Sequence, residues 1–450
     1  MAVVDRAQPA PAATPAAPSP RRVAIVGGGA SGVLTALQLL STSDDPALCI
    51  TVHEASGVLG RGIAYGTSDP RHLLNVRARH MSAFADVPSD LLDWAVRAGR
   101  DPDPQGFLPR MEYSAYLQDT LADTADQRLT ISAGRVDDIV PTGAGFELRT
   151  RGRTSAADVV VLAYGNQKPQ ELTELAGVSG LIGNPWDLAA IRALPGDASV
   201  VIVGTGLTAI DTAITLLEDE PRRRAVMVSR SGLLPCAHIA QQSTAWVTDV
   251  PAGPLTADGL ASLVRGQVDA ARAHGVDWRN VVDGLRPQTQ SIWRRLDIDE
   301  RRRFLAAYAR DWEVRRHRMA PEVADRIDRY RREGRLELVA GGTPHVDVEA
   351  AVAVVNCTGP LTDIGRTDDP LLRALQERGL VTPDPLRLGL ESTVSGQVVG
   401  ADGAVVEGLY AVGPPRKGTL WESTAIPEIR AQAAEVARLV LDKAPEASMP

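Results

Sequence analysis

Two glycine-rich turns carry the first chemistry. In RVAIVGGGASGVLTALQLL, Gly27, Gly29 and Gly32 make G-x-G-x-x-G where an apolar run gives way to a helical period. Residue types of this kind let a turn tighten, bring main-chain N–H groups to a pyrophosphate, and aim a helix N-terminus at its negative charge. Glu54 closes the next apolar run at about the 20-residue spacing expected of an acid that accepts from a ribose hydroxyl. The pattern recurs in VVIVGTGLTAIDTAITLLED, where Gly204, Gly206 and Ala209 give the G-x-G-x-x-A variant. Ser31 and Thr208 lie inside the two turns and are counted with them. After the second turn the acid is replaced by Ser229 and Arg230 in AVMVSRSG. A guanidinium there suits a 2'-phosphate, so the second site is expected to prefer NADPH over NADH. Arg222, Arg223 and Arg224 just upstream either assist or form a solvated cluster.

Further polar residues sit where loops should open onto these sites. Arg61 and Asn75 fall in an aperiodic stretch directly after Glu54, the position of a ligand crevice in doubly wound folds, and are expected to line a flavin. Gly165 ends the strand VVVLAYGN, and CTGP ends a second, similar strand, as if the chain crossed between two units and returned. Near the C-terminus Gly413 follows a strand, and Glu422, Ser423 and Thr424 mark the start of a long amphipathic helix whose N-terminus could face flavin. Arg316, His317 and Arg318 precede a Pro break and could point several cations into a cleft, or form a solvated helix face.

The elements that must position these groups follow from pattern and composition. At 450 residues the chain has room for two or three domains. The expected fold is α/β: two Rossmann-like dinucleotide-binding domains with a helical insert. Residues 1–20 are an Ala/Pro-rich tail, 21–170 and 359–445 the two parts of an FAD-binding domain, 171–250 and 336–358 those of an NADPH-binding domain, and 251–335 an Arg-rich helical insert with Trp278, Trp293 and Trp312 as core anchors. A net charge of -8 gives no general attraction to nucleic acid or anionic membrane. No apolar run approaches the roughly 18 residues of a spanning helix, so a cytoplasmic protein is expected. Cys49, Cys236 and Cys357 form no C-x-x-C, which argues against a dithiol centre; Cys49 and Cys357 are expected in the core. No metal-ligand cluster is evident.

The order of GGGASG, LGRGIAYGT, HLLNV, GTGLTAID, VSRSG, RHRMAP, CTGP and GLYAVG to WESTAIPEIR resembles a bacterial FAD/NAD(P)-binding flavoprotein family that includes aspartate N-monooxygenases forming nitrosuccinate for natural-product pathways. The likeness spans nearly everything after residue 20. It implies FAD at Gly27 to Gly32 and Glu54, NADPH at Gly204 to Ala209 with Arg230, and closure of the Gly413 to Thr424 segment over the flavin. The chain departs from flavin-containing and Baeyer-Villiger monooxygenases in lacking their F-x-G-x-x-x-H stretch, and Pro414 stands where disulfide-reductase relatives carry Asp.

The leading expectation is an NADPH-dependent flavin monooxygenase that takes a small-molecule substrate and molecular oxygen and acts through a C4a-(hydro)peroxyflavin, N-oxygenating an amino acid or small amine. For an aspartate-like substrate, Arg61, Arg79, Arg286, Arg316 and Arg318 are the cations that could grip carboxylates, and His317 is the base that could free the amine. A reductase passing electrons to another acceptor and a flavin-based redox sensor are the alternatives.

Overall fold

The computed structural model describes residues 20–240 and 245–442. The expected tail lies outside them except for Pro20, as does the end of the segment expected at 359–445. In chain order the strands are β1 (Arg21–Val26), β2 (Leu48–Glu54), β3 (Leu129–Ala133), β4 (Val136–Thr142), β5 (Gly145–Thr150), β6 (Arg153–Ala157), β7 (Val159–Leu162), β8 (Leu181–Ile182), β9 (Ser199–Val203), β10 (Arg224–Ser229), β11 (Leu336–Ala340), β12 (Ala353–Asn356), β13 (Gln397–Val399) and β14 (Val405–Ala411). They form three sheets.

The first sheet has the order β13-β14-β7-β1-β2-β3 and is parallel except for β13. Its centre is the apolar run Val23–Val26 beside Val159–Leu162, buried on both faces as parallel strands must be. Helices Ala30–Thr42, Arg110–Thr124 and Ile426–Asp442 cover one face through Leu34, Leu37, Tyr113, Leu117, Ala433 and Val436. The antiparallel meander β4-β5-β6 and helix Pro370–Glu377 cover the other, through Phe146, Leu148, Leu371 and Leu375.

The second sheet, β11-β10-β9-β12-β8, is wholly parallel. Helix Leu207–Asp219 packs on it with Ile210, Ile214 and Leu217. Helix Pro321–Arg332 joins the same core through Val323, Ile327 and Tyr330. It is the crossover into β11, so in packing terms the insert expected over 251–335 ends before this helix. The periodicity was that of any amphipathic helix and did not say which surface it would cover.

Between β10 and that crossover lie helices Ala257–Ala273, Trp278–Leu285, Thr289–Arg295, Ile298–Ala307 and Ala309–Arg316. Several begin at side-chain caps: Thr256 accepts from Gly259 N–H, Asp277 from Arg279 N–H, and Asp297 from Asp299 and Glu300 N–H. Trp293 anchors them at 2% exposure, its indole N–H donating to Gly418 O at 2.8 Å and its ring 4.9 Å from that of Trp421. The helical block is thereby fixed to the loop after β14. Cys357 is buried as expected, but Cys49 is exposed. On β2 the side chains alternate, and residue 49 takes the outward phase while Leu48 and Ile50 take the core.

Candidate active-site cleft

The two glycine turns are built alike. Gly27 has φ +109° and Gly204 φ +121°, values that favour glycine. A Cβ on Gly27 would stand 2.4 Å from Ala163 O, and one on Gly204 2.2 Å from Cys357 O, so each turn lies against the exit of the neighbouring strand. A Cβ on Gly32 would meet Gly27 O at 1.9 Å, which is the close helix-to-strand packing the third glycine permits. Gly29 and Gly206 are the N-cap positions of helices Ala30–Thr42 and Leu207–Asp219, and neither helix has a side-chain cap. Their first N–H groups are left to an outside acceptor, in contrast to the capped helices of the insert. These features fit dinucleotide pyrophosphates.

Around the first turn, Glu54 Oε2 accepts from Gly28 N–H at 2.8 Å, and Oε1 from Ser56 N–H at 2.9 Å and its hydroxyl at 2.8 Å. The carboxylate is thus held at the tip of β2, beside the turn. Ser31 is buried at the start of the helix, and a Cβ on Gly413 would come within 2.4 Å of its Oγ. Gly413 N–H donates to Gln432 Oε1 at 2.9 Å. The exit of β14 therefore closes onto the first helix.

A cleft of about 1390 Å³ runs between the sheets at the C-terminal ends of their strands. Asn75, Gly204, Gly206, Thr208, Ser229, Arg230, His317 and Thr424 are among its walls, together with the exits of β7 and β12. The first turn, Gly27 to Gly32, is not part of this wall; loop residues Leu59 and Gly62 lie against it. Gly165 has φ +70° at the β7 exit, and Ala209 is fully buried in the first turn of helix Leu207–Asp219. The two crossing segments run together: Leu361 N–H donates to Lys168 O at 3.1 Å, and Asn356 Nδ2 donates to Gln170 O at 2.8 Å.

Most of the arginines picked out as carboxylate clamps are otherwise engaged. Arg286 forms a bidentate pair with Glu428, at 2.7 and 2.8 Å. Arg316 Nε lies 3.1 Å from Glu422 Oε1, and Arg318 pairs with Asp283. Arg79 donates to His80 Nε2 at 3.0 Å. Arg61 is exposed at the start of the short helix Gly62–Tyr65. None of these five lines the cleft. Charge alone, read from the sequence, could not reveal acids more than a hundred residues away. His317 does reach the cleft, with its Nε2 3.8 Å from Glu422 Oε2. Burial would raise the Glu422 carboxyl, but Arg316, His317 and Arg286 outweigh it and bring it down to about 2, so it is ionised. Ser423 is fully buried and does not line the cleft, whereas the next residue, Thr424, does. Of the Arg222 to Arg224 cluster, Arg223 is buried and donates to the carbonyls of Arg192 and Pro195, a structural role.

Several charged cleft residues were not singled out from the sequence. Lys168, Arg310, Glu313 and Lys417 line it, with Lys417 Nζ 3.2 Å from Glu313 Oε1. Arg110 also lines it and pairs with Asp211 at 3.2 Å. Cys357 contributes to the wall, but burial pushes its thiol up to about 12, so it offers no thiolate. Among the described residues no helix is long and apolar enough to cross a membrane.

Two sheets, one wholly parallel and one parallel except for β13, each with a glycine turn at a helix start and a shared crevice, define a two-Rossmann dinucleotide-binding architecture. Residues 24–167 match the model of a family described as FAD-NAD(P)-binding. The whole fold is similar to three solved structures. One is an ornithine N-hydroxylase from Kutzneria sp. 744, described with reduced FAD, NADP+ and L-ornithine, at 16% identity and TM-score 0.58 over 94% of this chain and 99% of that one. Another is ornithine hydroxylase from Pseudomonas aeruginosa, at 16% identity and TM-score 0.60 over 93% and 98%. The third is L-lysine 6-monooxygenase from Pseudomonas syringae, at 16% identity and TM-score 0.59 over 94% and 99%. No curated protein matches the chain by sequence.

Proposed function

We propose that the protein is an FAD-containing, NADPH-dependent monooxygenase that N-hydroxylates the amine of a small amino acid. The observation that carries this reading is the shared cleft, which the second glycine turn and the exits of the first sheet line together. Likeness over the full chain to ornithine and lysine hydroxylases supports it.

In this reading the Gly27–Gly32 amides, Ser31 and Glu54 hold FAD, while Gly204–Thr208 with Ser229 and Arg230 hold NADPH. Held there, FAD would supply oxygen activation and NADPH the reducing hydride. The chain's own work is placement, proton handling and exclusion of water. His317, exposed to the cleft and set beside the ionised Glu422, takes the proton from the substrate ammonium so that the nitrogen lone pair is free. The helical block and Trp421, 6% exposed, shield the cleft floor. With Arg286, Arg316 and Arg318 committed to acids, the substrate carboxylate falls to Lys168, which has no acidic partner among the described residues and lines the cleft. Arg61, also without one, is the second cation to test.

The test is anaerobic reduction of the FAD-loaded protein by NADPH and by NADH, followed by oxygen with aspartate, ornithine or lysine. Hydroxylated amine in proportion to oxygen consumed supports the reading. Hydrogen peroxide alone, whatever the amine, overturns it in favour of a reductase that uses another acceptor.

A further inference from the structure

One guanidinium at the second turn comes from an unexpected place. Arg310 belongs to helix Ala309–Arg316 of the helical block, yet its side chain reaches the exit of β10. Its Nη2 donates to Thr205 Oγ1 at 2.9 Å and to Leu233 O, and its Nε donates to Ser231 Oγ at 3.4 Å. Thr205 Oγ1 is itself 2.9 Å from Ser229 Oγ. Arg310 is thus tied to residues on both sides of Arg230, the position already matched to a 2'-phosphate.

Neither arginine has a carboxylate within ion-pair distance among the described residues, although Glu313, a turn away, is paired with Lys417. Burial lowers the Arg310 pKa, Glu313 offsets part of that, and the exposed Arg230 on the same wall adds to the lowering. An arrangement of this kind lacks its anion. Arg310 Nη1 has no hydrogen-bond partner among the described residues and remains available as a donor.

We propose that Arg310 and Arg230 together clamp the 2'-phosphate of NADPH, so that the helical block closes on the cofactor through Arg310. This rests on the reading of the second turn as a pyridine-nucleotide site. It adds a specificity-determining residue from outside the Rossmann strand-turn-helix unit.

The experiment is calorimetric binding of NADP+, NAD+ and inorganic phosphate to the FAD-loaded full chain, in wild type, Arg310→Ala, Arg310→Lys and Arg230→Ala. Wild type should favour NADP+ over NAD+. Loss of one charged contact should weaken NADP+ by about 10- to 100-fold in Arg310→Ala, with NAD+ affinity within about twofold of wild type. Arg310→Lys, which keeps charge but not the fork, should fall between. Retained NAD+ binding shows that the variant is folded. If wild type prefers NADP+ and Arg310→Ala keeps that preference while Arg230→Ala loses it, the Arg310 clamp is overturned and the NADPH site stands. If wild type itself binds NADP+ no better than NAD+, the NADPH reading falls, and the clamp with it. Phosphate that competes with NADP+ in wild type but not in Arg310→Ala places the anion at this arginine; equal competition in both overturns the clamp.

Discussion

Arg316 Nε lies 3.1 Å from Glu422 Oε1 with the two side chains 7% and 3% exposed, and this pair joins the end of the helical block to the loop after β14. Removing one partner strands a buried charge, which costs about 3–5 kcal/mol. Arg316→Met and Glu422→Leu should each lower the unfolding free energy by an amount of that order, seen as a lower urea midpoint. The double variant should recover most of the loss, because both charges leave together. A double-mutant cycle in urea checks the coupling.

The two glycines of the second turn should separate folding from binding. Gly204→Ala places a methyl 2.2 Å from Cys357 O at φ +121°, and should destabilise by about 2–4 kcal/mol. Gly206 has φ -84° and nothing within 4 Å of an added Cβ. Gly206→Ala should therefore melt within a degree or two of wild type, a change of about 0.5 kcal/mol or less. It should still bind pyridine nucleotide more weakly, since the methyl stands over the uncapped amides. Paired calorimetric melts and nucleotide titrations read both effects.

His238 gives the fold an acid sensitivity. Burial, then the Arg318 guanidinium, brings its imidazole down to about 3, while the unfolded chain titrates near 6.5. Between those values the unfolded state binds the extra proton, so stability falls as pH drops from about 6.5 towards 3. His238→Gln should be less stable than wild type at neutral pH through loss of its contact with Asn75 O at 3.1 Å and with the Phe107 ring. Its melting temperature should nevertheless decline less steeply between pH 6.5 and 4. A parallel decline in both proteins would remove His238 from the account.

Asp69, with a fully buried side chain, gathers Arg71 Nε at 2.7 Å, Arg192 Nη2 at 3.1 Å and Thr215 Oγ1 at 3.0 Å. It ties the loop after β2 to helix Leu207–Asp219 of the second sheet. Burial alone would raise this carboxyl, but Arg71 and His72 hold it well below the usual range. Arg71 and Arg192 both keep a second acid in Asp219, at 2.6 and 3.2 Å, so Asp69→Asn should cost about 1–3 kcal/mol through its lost charged hydrogen bonds. Limited proteolysis should then cut the segments between the sheets faster than in wild type.

What could be seen in the sequence was local. Gly27, Gly29 and Gly32, and again Gly204, Gly206 and Ala209, sit within a few residues of the strand and helix they join, so pattern alone located both turns and fixed the α/β class. Ion pairing was hidden because it is not local. Arg286 finds Glu428 across 142 residues and Arg316 finds Glu422 across 106. A run such as Arg315 to Arg318 looks the same whether its charges face solvent, substrate or buried acids. The exposure of Cys49 was lost for a similar reason: an apolar run says that a strand is present, not which phase of its alternation meets the core. Arg310 carried no motif, and only the packing of the helical block onto β10 brought it to the cleft.

The hydrogen bond from Leu361 N–H to Lys168 O has a topological meaning. The chain leaves the first sheet and returns to it at two points that touch, so everything from Pro169 to Pro360 is one excursion with its ends already side by side. Such an excursion can be lengthened, shortened or exchanged without moving the strands it departs from, much as a cassette is changed in a fixed frame. Evolution of a new substrate preference could then proceed within the loop while β7 and β14 keep their register.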